Sequence, residues 1–259
     1  MKIFKGIKLE DFSLTPQDIQ VHATTAVIIK KSWPYELAHS FQEIMVEKIY
    51  EHPDESLFIF CSHPSCLTLG RGLQKTATDI IPLIDFDPLI EEQLSLKIHR
   101  IKRGGGITFH HERQIVLYPM ISLDHKKYKV FDFMLLALSL IKNVLEKKYG
   151  LQSLEVRSDL LGLWAKQFKI ASIGLSTRKF VTYHGVALNL GEDQKIQEAL
   201  SMIFPCGLPG SAYSNVSRIL QKDISFEDLQ PELMLEFLKS INDSTSRSTK
   251  EDSLVSELS

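Results

Sequence analysis

Arg103-Gly104-Gly105-Gly106-Ile107-Thr108-Phe109-His110 decides how this chain is read. Three consecutive glycines let the backbone take φ > 0 and let another molecule approach the main chain closely. An arginine stands before them and a histidine after, which makes the stretch a candidate ligand loop. Residues 97–102 and 114–122 flank it as strands. His110 and His111 are adjacent, so along a strand they point to opposite faces.

Working outward, the run Ala26-Val27-Ile28-Ile29 predicts a strand. Pro34 suits a first helical turn, with Glu36 near its positive end. Leu37, Phe41, Ile44, Met45 and Ile49 recur at helical spacing and predict a helix over 34–50. Leu57-Phe58-Ile59-Phe60 reads as a buried strand, followed by loop sequence at 62–65 and 68–72. Residues 73–95 are irregular. Phe131, Leu135, Leu138, Ile141 and Leu145 form one stripe of a helix over 131–148, with Gly150 as its C-cap. Strands follow at 154–157, 162–165, 169–175 and 180–190, the last three close enough for antiparallel hairpins. Pro231 is expected to open a final helix. Residues 1–23 form an N-terminal segment, 24–242 one catalytic domain, and 243–259 a Ser-, Thr- and charge-rich tail expected to be disordered. The mixture predicts an α+β fold with a mixed, mainly antiparallel sheet.

The chain has 259 residues, 44% hydrophobic and 24% charged, with net charge -2. No global basic field exists to hold nucleic acid. No apolar h-region opens the chain, and its most apolar segment is too short to span a bilayer. A cytoplasmic location and no membrane partner are the expectation. Three cysteines without a signal sequence do not make a disulfide framework.

Cys206 lies in Phe204-Pro205-Cys206-Gly207-Leu208-Pro209-Gly210, a rigid loop. It is either a nucleophile, if a neighbour stabilises its thiolate, or a buried inert thiol. Lys169 begins an apolar strand of small residues. It is either a cation pinned beside such a thiolate or an ordinary surface lysine. Cys61, His63 and Cys66 resemble half a zinc site, but Cys61 ends an apolar strand, and no metal is expected. Phosphate-cradling and serine-hydrolase motifs are absent.

In their order, these blocks resemble the LipB-type lipoyl(octanoyl) transferases of the biotin/lipoate protein ligase superfamily. Pro34-Tyr35 with Ala38 and Gln42 resembles that family's first helix. His63-Pro64 and Thr68-Leu69-Gly70-Arg71 resemble its next loop, and residues 103–110 its substrate stretch. Residues 162–174 and 183–189 resemble its lysine-bearing hairpin, and Pro205-Cys206-Gly207 falls where it keeps a nucleophile. The resemblance implies a ligase-like catalytic fold, a mixed, mainly antiparallel sheet flanked by helices. It implies that Cys206 carries an acyl thioester and that Lys169 lowers its pKa. Substrate would be lined by Arg103, Gly104, Gly105, Gly106, Ile107, Thr108, Phe109, His110, Ser172, Ile173, Gly174, Gly185, Val186 and Ala187. The implied donor is octanoyl-acyl carrier protein. The implied acceptors are lipoyl-domain proteins, namely 2-oxoacid dehydrogenase subunits and the glycine cleavage H protein, with no cofactor. Lys102, Arg103, Lys166, Arg178 and Lys179 are candidates to meet an acidic carrier. Where the family continues His-Gly-Pro-Gly-Gln, this chain has His110-His111-Glu112-Arg113-Gln114, so a different backbone is expected there. The competing readings are an ATP-dependent lipoate–protein ligase and a binding protein without turnover.

Overall fold

The computed structural model describes residues 1–75, 80–82, 94–201, 203, 205 and 208–256, with 72–75, 80–82 and 242–256 described by backbone alone. Its strands are β1 (Ile19–His22), β2 (Thr25–Lys30), β3 (Ser56–Cys61), β4 (Cys66–Lys75), β5 (Ile80–Pro82), β6 (Ile98–Arg100), β7 (Gly105–His110), β8 (Gln114–Met120), β9 (Leu154–Arg157), β10 (Gly162–Ala165), β11 (Phe168–Arg178) and β12 (Val181–Asn189). The helices are α1 (Tyr35–Glu51), α2 (Val130–Tyr149), α3 (Gln194–Leu200), α4 (Val216–Leu220) and α5 (Phe226–Ser256).

Eight strands form one sheet in the order β1-β2-β3-β8-β12-β11-β10-β9. Only β2 and β3 pair in parallel; the other six neighbouring pairs are antiparallel. This is the mixed, mainly antiparallel sheet that the sequence predicts. The period of two explains why β3 reads as an unbroken apolar run. Leu57, Ile59 and Cys61 pack with Phe41, Met45 and Ile49 of α1. Phe58 and Phe60 face the other way, toward Ala137 and Ile141 of α2 and Phe237 of α5. Helices thus cover both faces of the central strands. No helix among the described residues is long and apolar enough to cross a membrane.

Residues 1–23, set apart in the sequence reading, are built into this body. β1 is the edge strand, Ile3 and Leu14 join the core beneath α1, and the Glu55 carboxylate accepts the amides of Lys2 and Ile3, both at 3.0 Å. α2 ends on Gly150 at φ 65, as a left-handed C-cap requires.

Two helix boundaries differ from expectation at the C-terminus. α5 begins five residues before Pro231, because Ser225 and Asp228 cap it reciprocally: the Asp228 amide donates to Ser225 Oγ at 3.1 Å, and the Ser225 amide to Asp228 Oδ2 at 2.9 Å. Pro231 lies inside the helix. The backbone then stays helical to Ser256, through the stretch read as a disordered tail, with no Gly or Pro after residue 231 to stop it.

A second sheet holds β5, β4, β6 and β7. The 68–72 stretch, read as loop, belongs to strand β4, which pairs with β7 from Cys66↔His110 to Leu69↔Ile107. Its glycine hid it: a Cβ on Gly70 would lie 2.3 Å from the Gly105 carbonyl oxygen, so the two chains can close only on a glycine.

Candidate active site

Arg103 organises the glycine stretch. Its guanidinium donates to the carbonyls of Gly104 (3.0 Å), Gly106 (2.8 Å) and Thr68 (2.9 Å), and to the hydroxyls of Thr68 (2.9 Å) and Thr108 (2.7 Å). The planar fork thereby ties β4 to β7. Gly105 takes φ 77, a conformation that suits glycine. The opposite wall also approaches closely: a Cβ on Gly174 would stand 3.1 Å from Arg103 Cδ. Gly104 and Gly106 therefore hold the arginine through their carbonyls, a role beside the ligand contact that the sequence reading gave them.

Behind Arg103 lies an inner pocket. It is lined by Tyr35, Arg103, Thr108, His110, Val116, Tyr118, Ser172, Gly174, His184, Gly185, Val186 and Ala187. Strands β11 and β12 form its floor. Gly174 and Gly185 pair in register, and a Cβ on Gly185 would collide with the Leu117 carbonyl oxygen at 1.9 Å. Eight of the substrate residues expected from sequence thus meet across three separate segments. Ile173 is not among them. It packs into the core on the α2 side, because Ser172 and Gly174 take the pocket face and alternation sends Ile173 to the other.

Tyr35 sits among histidine rings. It stacks on His110 (centroids 5.6 Å, 19°) and contacts His63 at 5.3 Å and His99 at 4.9 Å. Two of the buried rings, His63 and His110, have a tautomer fixed by their partners. His63 donates from Nδ1 to the Trp33 carbonyl at 2.6 Å, so Nε2 accepts from the Tyr118 hydroxyl at 2.8 Å. Both ring nitrogens of His63 are thus used inside the protein. The Gln114 amide donates to Asn189 Oδ1 at 2.8 Å, which turns its Oε1 toward His110 Nδ1 at 3.3 Å. His184 has φ 58 and is 2% exposed; its amide donates to Gln42 Oε1 at 2.8 Å, and its Nε2 has no partner.

An outer cleft joins the inner pocket at Thr108, Ser172 and Ala187, which line both. Ile107, Phe109, Ile196 and Leu200 give it an apolar side, and His111, Asn189, Asp193 and Arg218 a polar one. Pro205 also lines it. Cys206 and Gly207 lie outside the described residues.

Lys169 is buried at 3% exposure, which removes the surface-lysine reading. Its Nζ lies 5.9 Å from the centre of the Trp164 ring, and its stem fills the space over Gly162, where a Cβ would be 2.5 Å from Lys169 Cε. Its strand bridges to Tyr213, and its carbonyl accepts the Ser214 amide at 3.1 Å. The Tyr213 hydroxyl in turn donates to the Pro205 carbonyl at 2.6 Å. The residue that precedes Cys206 is thereby tied to the lysine strand. No signal in the sequence marks Tyr213 for this part.

Among the basic residues offered to an acidic carrier, Arg103 is buried and engaged as above. Arg178 and Lys179 pair with Glu47 at 3.3 and 2.6 Å. The turn at 111–113 has no positive φ, so the bulky residues there fit without the strain that a glycine turn would avoid.

Burial lowers the pKa of His63 and of His111 to about 4, and pushes His110 and His184 well below the usual value. In the unfolded chain each titrates near ~6.5. Between these values the unfolded state binds more protons, so stability falls as pH falls. The histidine contribution is complete above about pH 6.5 and is lost toward pH 4, at roughly 3 kcal/mol for each of His63 and His111. Urea unfolding should show its midpoint dropping steeply from pH 6.5 to 4.5; equal midpoints at pH 7.5 and 5 would refute the buried neutral rings.

The family model for the lipoyl protein ligase A/B catalytic domain matches residues 34–238. The chain belongs to this family. It is 34% identical over 179 residues to an octanoyltransferase of Synechococcus sp., covering 68% of this chain and 72% of the relative. An octanoyltransferase of Bdellovibrio bacteriovorus is 29% identical over 221 residues, covering 79% and 93%. With such relatives the chain is an enzyme of the acyltransferase kind. Among solved structures, a bi-partite lipoate protein ligase from Thermoplasma acidophilum superposes with a TM-score of 0.60 at 15% identity, over 86% of this chain and 85% of that one. At that identity the likeness shows the fold alone, and it confirms the ligase-like architecture.

Proposed function

We propose that this enzyme transfers an octanoyl group from octanoyl-acyl carrier protein to a lysine of a lipoyl domain, through a thioester on Cys206. The observation that carries the reading is the junction. The inner pocket opens at Thr108, Ser172 and Ala187 into a cleft beside Pro205, and the buried Lys169 is tied to Pro205 through Tyr213. The octanoyltransferase relatives support the acyl group, and the lipoate ligase fold supports the lipoyl-domain acceptor.

The chemistry runs in two exchanges. The Cys206 thiolate attacks the donor thioester carbonyl and the carrier's thiol leaves with the proton that the Lys169 ammonium gives up, so one thioester replaces another. The acceptor's ε-amine then attacks the acyl-enzyme; the C–N bond forms, the C–S bond breaks, and the cysteine thiolate is regenerated. The amide is far more stable than the thioester, so no ATP is consumed. Lys169 as ammonium holds the thiolate, and as neutral amine takes the acceptor's proton. Thr108 accepts from Arg103 and so has its own hydroxyl proton free to donate to the developing oxyanion at the junction. The inner pocket holds the chain, where each buried methylene contributes about 0.8 kcal/mol.

The test is transfer from octanoyl-acyl carrier protein to a lipoyl domain without nucleotide. Product formation is expected. A requirement for ATP would make the enzyme a ligase, and binding of either protein without product would make it a binding member of the family.

A further inference from the structure

His111 is a pocket side chain that the proposed chemistry leaves unused. Its ring is 3% exposed, lines the outer cleft, and has no hydrogen-bond partner at Nδ1. A buried polar atom left unpaired is costly, and native structures rarely keep one without a use. The turn that carries it is fastened on both sides. Glu112 accepts from Ser32 and, at 3.2 Å, from Ser62. Arg113 pairs with Asp223, and its carbonyl accepts the amides of Leu190 (2.9 Å) and Gly191 (3.2 Å). The ring is therefore held against the cleft wall.

Its surroundings define the ligand. Burial keeps the ring neutral, so it presents one donor and one acceptor, which match an amide better than an ion. Gln114, Asn189, Gln197, Ser214 and Asn215 line the same cleft with amide or hydroxyl groups, beside the charged Glu192, Asp193 and Arg218. The acyl chain occupies the inner pocket, so the other half of a thioester donor lies along the outer cleft. We propose that this cleft is the subsite for the amide-bearing thiol arm of the donor, and that His111 hydrogen-bonds an amide of that arm. The assignment rests on the transferase reading.

Two small donors separate the effects: S-octanoyl-pantetheine, whose arm has two amides, and S-octanoyl-2-mercaptoethanol, whose arm has none. The rate of protein acylation by each is followed by intact mass for wild type, His111→Ala and His111→Asn. Loss of one such hydrogen bond is worth about three- to tenfold. His111→Ala is expected to raise the half-saturating concentration of the pantetheine thioester by that factor and to leave the mercaptoethanol thioester within twofold. His111→Asn keeps a hydrogen-bonding head and should recover most of the loss; it carries the comparison if the alanine variant melts early. Equal changes for the two donors, or none for either, would overturn the subsite. Failure of wild type to be acylated by either donor would overturn the transferase reading and the subsite with it.

Discussion

Lys169→Met is expected to slow acyl transfer by about 10²- to 10⁴-fold, the range that a positioned proton-transfer group contributes. The lysine stem fills the space over Gly162 and lies near Trp164, and methionine keeps most of that volume. The fold should survive, with a melting temperature within a few degrees of wild type. The loss should fall on kcat more than on KM, because in the proposed mechanism the group acts on the reacting atoms and not on the acyl chain. Single-turnover acylation and transfer to a lipoyl domain, measured separately, show which half is slowed. A variant with wild-type turnover would remove Lys169 from the mechanism.

Arg103→Leu is expected to be the most damaging change to stability at the site. It strips donors from three carbonyls and two hydroxyls that tie β4 to β7. Each buried acceptor left unpaired costs about 1–3 kcal/mol, and relaxation recovers part of the sum. A net loss of about 4 kcal/mol lowers the melting temperature by roughly 10 °C for a chain of this size. Arg103→Lys should rescue little, since a point ammonium cannot reach both strands as the flat fork does. Thermal melts of both variants decide. A lysine variant as stable as wild type would show that charge, and not the fork, is what the site needs.

How far the sequence could be read depended on which physical signal each segment carries. The 3.6 period placed α1 and α2 within a residue or two, since each buries one face. The unbroken run at β3 marked a strand buried on both sides. β4 does not read as a strand because the close approach of Gly70 to Gly105 replaces the alternation that marks one. Pro231 is the stronger-looking punctuation for the start of α5, but the Ser225–Asp228 pair is the capping signal. At the site, the motif resemblance found most of the inner pocket. It carried Ile173 along with its neighbours because a contiguous motif ignores which face of a strand each residue takes. His39, Gln42 and His184 come together only through tertiary packing of α1 on β12, and nothing in their local sequence announces it. The turn at 111–113, read as a departure, proved to be a well-anchored wall.

The central claim is a covalent acyl-enzyme. Intact mass after incubation with octanoyl-acyl carrier protein, in the absence of nucleotide, tests it directly. The expected result is the gain of one octanoyl group on wild type, its disappearance when a lipoyl domain is added, and no gain on Cys206→Ala. An unmodified wild type that still transfers octanoyl, or an adduct that persists in Cys206→Ala, would contradict it.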